Sequence, residues 1–139
     1  MDPSSKDYVA IVQCHIVKQR CAGYFCEQAL QRREGGFADY PADRVYRHVM
    51  IDCGGCCGRG LQRKLANLVH QLEKQEGITR DRVAVQLSSC ITKDSHHGPP
   101  CPHLDYLTTL IELMGLEWAE DTRISRLSES RRDGQTYIG

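Results

Sequence analysis

Between residues 53 and 60 the chain reads Cys53-Gly-Gly-Cys56-Cys57-Gly-Arg59-Gly60. Cys53 and Cys56 have the spacing at which two thiolates reach one tetrahedral ion, or two corners of an iron–sulfur cluster. The glycines let the backbone turn tightly and bring N–H groups to the sulfurs. Cys57 is the lesser candidate, because adjacent cysteines seldom serve one ion together. A second constellation is His96-His97-Gly-Pro-Pro-Cys101-Pro102-His103. Proline on both sides of Cys101 restricts its backbone, and a turn here would point His97, Cys101 and His103 to one place. The plain alternative for His96 and His97 is a titrating surface loop. A third group, Cys21-Ala-Gly-Tyr-Phe-Cys26, forms one side of a site together with Cys14. The competing reading of Cys26 is a small hydrophobe packed beneath a helix.

The same glycine-rich segment satisfies C-x5-R through Cys53 and Arg59. That spacing serves cysteine-dependent oxyanion chemistry, in which loop N–H groups and the arginine cradle the anion while the thiolate attacks. A thiol-dependent redox or oxyanion-transforming enzyme using Cys53, Cys56 and Arg59 is therefore the alternative to metal binding. Against it, position 60 is glycine rather than a hydroxyl residue, and two further thiols in the loop invite oxidation.

The elements that position these groups alternate between strand and helix. Tyr8 to Val12 is a short β-branched run ending at Gln13 and Cys14. Gly23 to Arg33 reads as a helix with Phe25, Ala29 and Leu30 on one face, stopped by Gly35-Gly36. Val45 to Ile51 is a second strand, ending at Asp52 and Cys53. Leu61, Leu65, Leu68, Val69 and Leu72 follow helical spacing, with Gly77 as a C-terminal cap. Arg82 to Leu87 predicts a third strand ending near Cys90, followed by a polar loop from Ile91 to Cys101. Pro102 opens a last helix striped by Leu104, Leu107, Ile111 and Met114, and Leu116 to Ala119 is a fourth strand.

Strands separated by helix-length segments pair in parallel through right-handed crossovers. The expected fold is thus an α/β domain with an open, mostly parallel sheet of about four strands and flanking helices, flavodoxin-like or Rossmann-like. Ligands bind such sheets beyond the carboxyl ends of the strands. Cys14, Cys53 and Cys90 each fall just past a predicted strand, so three strands deliver a thiol to one edge. His48 and His70 fall inside elements and read as structural or surface residues, and His15 is left out because it diverges from Cys14 along an extended chain.

Length and composition agree with one domain: 139 residues, 40% hydrophobic and 26% charged. Lys+Arg and Asp+Glu are 18 each, without the concentrated positive charge that nucleic acid or an anionic membrane requires. No apolar run has the length of a membrane span, and no secretory signal opens the chain. Eight cysteines fall short of the density of a disulfide scaffold. In a reducing, cytoplasmic setting such a set points to metal or redox chemistry, with a redox partner protein as the expected contact.

The ordered set of motifs resembles the CGGC domain family, prokaryotic domains predicted to bind metal from their cysteine and histidine content. The shared features are the central Cys-Gly-Gly-Cys, the early strand-end cysteine, the Cys-x4-Cys pair, the later strand-end cysteine and Pro-Pro-Cys-Pro-His. The resemblance covers about Tyr8 to Asp121. It implies a domain over residues 1–121, a polar tail over 122–139, and a metal ligand set of Cys14, Cys21, Cys26, Cys53, Cys56, Cys90, Cys101 and His103. Cys57 stands where the family commonly has proline. Thiolate-rich ligation suits zinc or an iron–sulfur cluster, in electron transfer, redox sensing or metal handling.

Overall fold

The computed structural model describes residues 1–93 and 98–124. Four strands, β1 (Tyr8–Gln13), β2 (Arg47–Asp52), β3 (Val83–Leu87) and β4 (Glu117–Glu120), form one parallel sheet in the order β2-β1-β3-β4. Between them lie the helices α1 (His15–Lys18), α2 (Tyr24–Arg32), α3 (Arg59–Glu76), α4 (Ser89–Thr92) and α5 (Leu104–Leu113). The all-parallel α/β architecture meets the expectation from the strand–helix alternation. The strand order is that of a flavodoxin-like sheet, whose direction of winding reverses between β1 and β3.

That reversal puts helices on both faces. The first connection winds one way along the sheet, and α2 covers Val9, Ile11 and Ala84 with Cys26, Ala29 and Leu30, joined by Phe37, Tyr40 and Tyr46. The later connections wind the other way. Leu61, Leu65, Val69 and Leu72 of α3 and Leu107 and Ile111 of α5 cover Ala10, Val12, Val83, Val85 and Leu87. All six residues of β1 are buried because helices press on it from both sides, which is why its sequence is a continuous apolar run.

The amino-terminal edge of the sheet is closed by charge. Lys6 is fully buried, and its Nζ donates to Glu117 Oε1 at 2.7 Å and to the Asp81 carbonyl at 2.5 Å. Beside it, the Arg44 and Arg82 guanidiniums hold the Asp7 carboxyl below the usual carboxylate range. On the α2 face Gln86 is fully buried, its Oε1 accepting from Tyr40 O–H at 2.9 Å and its Nε2 facing the carbonyls of Gly36, Glu120 and Asp121. A Cβ at Gly36 would stand 2.0 Å from the Asp121 oxygen, so only glycine admits this contact. Asp121 and Thr122 are themselves buried, so the packed chain continues past β4.

Local departures from expectation have simple causes. Phe25 is 51% exposed, and Cys26 takes its place on the buried stripe with Ala29 and Leu30, at offsets of three and four residues. Val45 is 86% exposed and precedes β2, which begins at Arg47 where the ladder with Tyr8 begins. The expected loop after β3 starts as the short helix α4. His96 and His97 lie outside the described residues.

On its face of the sheet α3 buries Leu61, Leu65, Val69 and Leu72. Leu65→Ala should lower the unfolding free energy by about 2–5 kcal/mol in denaturant titrations, since Leu65 is fully buried. Leu113→Ala, at a side chain 79% exposed, should change it by no more than about 0.5 kcal/mol.

Candidate metal centre

The parallel ladder runs past the ends of the strands. Cys53 N–H donates to the Gln13 carbonyl at 2.9 Å, and Ser88 N–H donates to the Val12 carbonyl at 2.8 Å. The chains leaving β1, β2 and β3 are therefore still in register where the cysteines begin. Cys14 is the first residue after β1, Cys53 the first after β2, and Cys90 the third after β3. Parity aims Cys14 and Cys53 to the α3 side, in line with Val12 and Ile51. Cys53 belongs to the apolar cluster there, and Cys14, Cys90 and Cys101 pack against it.

Two successive backbone amides tie the edge together. Cys14 N–H donates to Cys90 Sγ at 3.4 Å, and His15 N–H donates to Cys53 Sγ at 3.3 Å. The turn after the central strand thus addresses sulfurs arriving from both neighbouring strands. Cys101 comes from the proline-locked segment, pinned by its N–H to the Ile91 carbonyl at 2.7 Å, and its Sγ accepts from His103 N–H at 3.4 Å. Cys53, Cys14, Cys90 and Cys101 thus meet at one apolar cluster, with Cys56 exposed on the loop that follows Cys53.

The remaining sequence candidates stand apart. Cys21 is half-buried between α1 and α2, and the His103 side chain is exposed ahead of α5. Cys26 lies on the other face of the sheet, buried and bonded to hydroxyls: its Sγ is 3.2 Å from Ser88 Oγ and accepts from Thr122 Oγ1 at 3.1 Å. Ser88 Oγ also accepts from Cys90 Sγ at 3.5 Å, which links this back wall to the thiol edge. Ser88 and Thr122 escaped sequence analysis. For Ser88 the signal was present, since strand parity continues Ala84 and Gln86 onto the α2 face. The chain at His15 is helical rather than extended, and it is the His15 backbone, not the ring left out of the ligand set, that meets a cysteine.

The loop from Cys53 to Gly60 is shaped by close backbone approach. A Cβ on Gly54 would stand 2.5 Å from Gly60 Cα, so both positions require glycine. Leu61 N–H returns to the Cys53 carbonyl at 3.1 Å, which starts α3 directly beneath the thiol. Asp52 accepts from Gly54 N–H at 2.8 Å and from Lys64 Nζ at 2.5 Å. The Lys64 ammonium, with that amide and the neighbouring His15, holds the Asp52 carboxyl below its usual range. Arg59 is exposed at the start of α3, while Cys53 is buried and takes its hydrogen bond from the β1 turn rather than from its own loop. An oxyanion cradle around Cys53 gains no support from that arrangement.

Burial pushes the Cys90 thiol up from 9.0 to about 11, against the opposing pull of Ser88 and of the Cys14 amide. Burial raises Cys101 as well, partly offset by His103 N–H, while charge on Cys53, Cys14 or Cys56 pushes the same way. At neutral pH both thiols carry their protons, so a metal ion must displace them. The donor chemistry fits a thiophilic ion: sulfur ligands in half-apolar surroundings, with amide donors at hand. Their convergence is incomplete, for among the described residues no three Cys, His, Asp or Glu side chains are grouped as one ion would need. The sulfurs must turn toward one another to share it.

The sequence model of one protein family, described as the CGGC domain, matches residues 8–123. No curated protein and no solved structure matches the chain.

The raised Cys90 value has a consequence for stability. The unfolded chain releases this proton near pH 9 and the folded chain only near pH 11, so alkali favours unfolding in that window. In reduced, metal-free protein the contribution of Cys90 to stability should be intact below about pH 9 and be lost as the pH climbs toward 11, read as the pH dependence of the denaturation midpoint. Cys90→Ala should flatten that slope. An unchanged slope would remove Cys90 as its source.

Proposed function

Because the chain belongs to the CGGC domain family, we propose that it is a metal-binding protein that holds zinc or an iron–sulfur cluster through cysteine thiolates at the carboxyl-terminal edge of its sheet. The observation that carries this reading is the pair of adjacent amides, Cys14 N–H and His15 N–H, directed at sulfurs from opposite neighbouring strands. Such N–H···S bonds offset negative charge on sulfur and tune a bound centre. Cys14, Cys53, Cys56, Cys90 and Cys101 are the inner ligand candidates. Cys21, Cys26 and His103 form the wider set, with Cys26 reaching the edge through Ser88.

Five edge thiols exceed the four ligands of one zinc ion, so a cluster, or two ions sharing sulfurs, uses them more fully. The bound group would supply electron transfer or redox sensing if it is a cluster, and structural or metal-handling chemistry if it is zinc. The chain's own part is to orient the sulfurs, shield them under α3 and α5, and donate N–H groups. No described helix is long and apolar enough to cross a membrane. The cytoplasm, where thiols stay reduced, is the compartment we assign, with a redox protein as the partner. Thiol-dependent enzymology at Cys53, Cys56 and Arg59 remains the second reading, supported by spacing alone.

Elemental analysis of anaerobically purified, unchelated protein tests the proposal. Zinc or iron should be present in stoichiometric amount, with visible colour and acid-labile sulfide in the iron case. Cys53→Ser and Cys90→Ser should each reduce the same metal, and stripping should lower the melting temperature by mass action. Metal-free protein whose melting temperature and thiol reactivity do not respond to zinc or to cluster reconstitution would sink the reading.

A further inference from the structure

Cys14 stands between two other cysteines. It is the first residue after β1, the strand flanked by β2 on one side and β3 on the other. Cys53 continues the register across β2, because Gln13 pairs with Asp52 and the next ladder bond runs from Cys53 N–H to the Gln13 carbonyl at 2.9 Å. Parallel neighbours stand about 4.8 Å apart, inside the roughly 4.4–6.8 Å of Cα separation that a disulfide spans. On the other side Cys90 Sγ is 3.4 Å from Cys14 N. It therefore lies within about 5 Å of Cys14 Cα, one N–Cα bond further on. Cys53 belongs to the apolar cluster of the α3 face, Cys14 and Cys90 pack against it, and all three thiols are free.

The backbone holds this arrangement. Cys14 N–H donates to Cys90 Sγ and His15 N–H to Cys53 Sγ, so successive amides hold the two outer sulfurs on either side of the Cys14 side chain. Thiol–disulfide exchange proceeds by attack of one sulfur on another as a third departs. A central thiol flanked from opposite strands meets that demand. We propose that Cys14 is the shared sulfur of a three-thiol redox couple: a hydroperoxide oxidises this edge to one disulfide, which joins Cys14 to Cys53 or to Cys90 and passes between them by exchange. The couple stands on the placement of the sulfurs and does not rest on the metal-binding reading.

The chemistry balances with the hydroperoxide as oxidant. The Cys14 thiolate attacks one peroxide oxygen, and an S–O bond forms as the O–O bond breaks, leaving a sulfenic acid and hydroxide. The Cys53 or Cys90 thiolate then attacks the sulfenic sulfur, forming the S–S bond and expelling the second oxygen as hydroxide. The two thiol protons turn both hydroxides into water, so the thiols lose two electrons and the peroxide gains them. In the exchange step the third sulfur bonds Cys14, and the departing sulfur leaves with the electron pair of the old bond. It takes up the proton that the attacking thiol released.

The test treats reduced, chelated full-length protein with a small molar excess of hydrogen peroxide. Remaining thiols are blocked with N-ethylmaleimide, and linked peptides are identified by tandem mass spectrometry. Two links should appear in the parent protein, Cys14 to Cys53 and Cys14 to Cys90. Cys53→Ser should carry the whole yield into Cys14–Cys90, Cys90→Ser should carry it into Cys14–Cys53, and Cys14→Ser should lose both. Recovery of Cys14 with the maleimide label, or linked only to Cys21, Cys56, Cys57 or Cys101, overturns the proposal. A link on one side only, which the variants do not move, overturns the shared role as well. The map of the parent protein decides the matter even where a variant fails to fold. No metal enters the experiment, so failure here leaves the metal-binding reading standing.

Discussion

The parallel register of β1 with its two neighbours is the constraint on which the rest depends. Tyr8 pairs with Arg47 on one side and Val83 on the other, and the ladder holds on both sides up to Val12. Three strands therefore end at nearly one level, and each bond past the end, from Cys53 N–H or Ser88 N–H, repeats the alignment. Neighbouring parallel strands stand about 4.8 Å apart, so residues leaving them in register begin within side-chain reach of one another. A shift of one residue would send Cys53 to the wrong face. The apolar run of β1, pressed from both sides, fixes the register, and the thiols inherit it.

The two ends of the sheet have opposite chemistry. At the amino-terminal edge, buried Lys6 and half-buried Asp7 find charged partners, and such groups resist separation because a lone buried charge is costly. At the carboxyl-terminal edge, sulfurs meet amides and hydroxyls at 3.1–3.5 Å, contacts weak enough to yield to a stronger bond. One end of the sheet is closed by the chain itself. The other is arranged to accept something more.

Much of this was legible in the sequence because hydrophobic period is a strong signal. Tyr8–Val12 and the Leu61–Leu72 stripe announced a central strand and a covering helix, and the strand-end positions of Cys14, Cys53 and Cys90 followed directly. The misses lie where tertiary contact decides. Phe25 and Cys26 are both apolar and adjacent, and helical phase relative to Ala29 and Leu30 selected the thiol for burial. Thr122 sits in a polar stretch that reads as the start of a tail, and only a fold that returns it to Cys26 reveals its place. His15 N–H mattered through its backbone, which side-chain chemistry cannot foretell. Which sulfurs share an ion was never written in spacing, because it depends on rotamers that a ligand would choose.

The bond from Thr122 to Cys26 joins residues 96 positions apart in the chain. A ribosome adds residues in order, and the last several tens are still inside its exit tunnel when α2 and β1 are already outside. The early thiols Cys14, Cys21 and Cys26 are thus made long before β4 and Thr122 can seal the back wall. Vectorial synthesis gives this edge a delay: its first sulfurs must wait, unoxidised, for the last strand. Keeping those thiols free in that interval depends on the reducing power of their surroundings, and closure of the back wall follows the synthesis of β4 rather than guiding it.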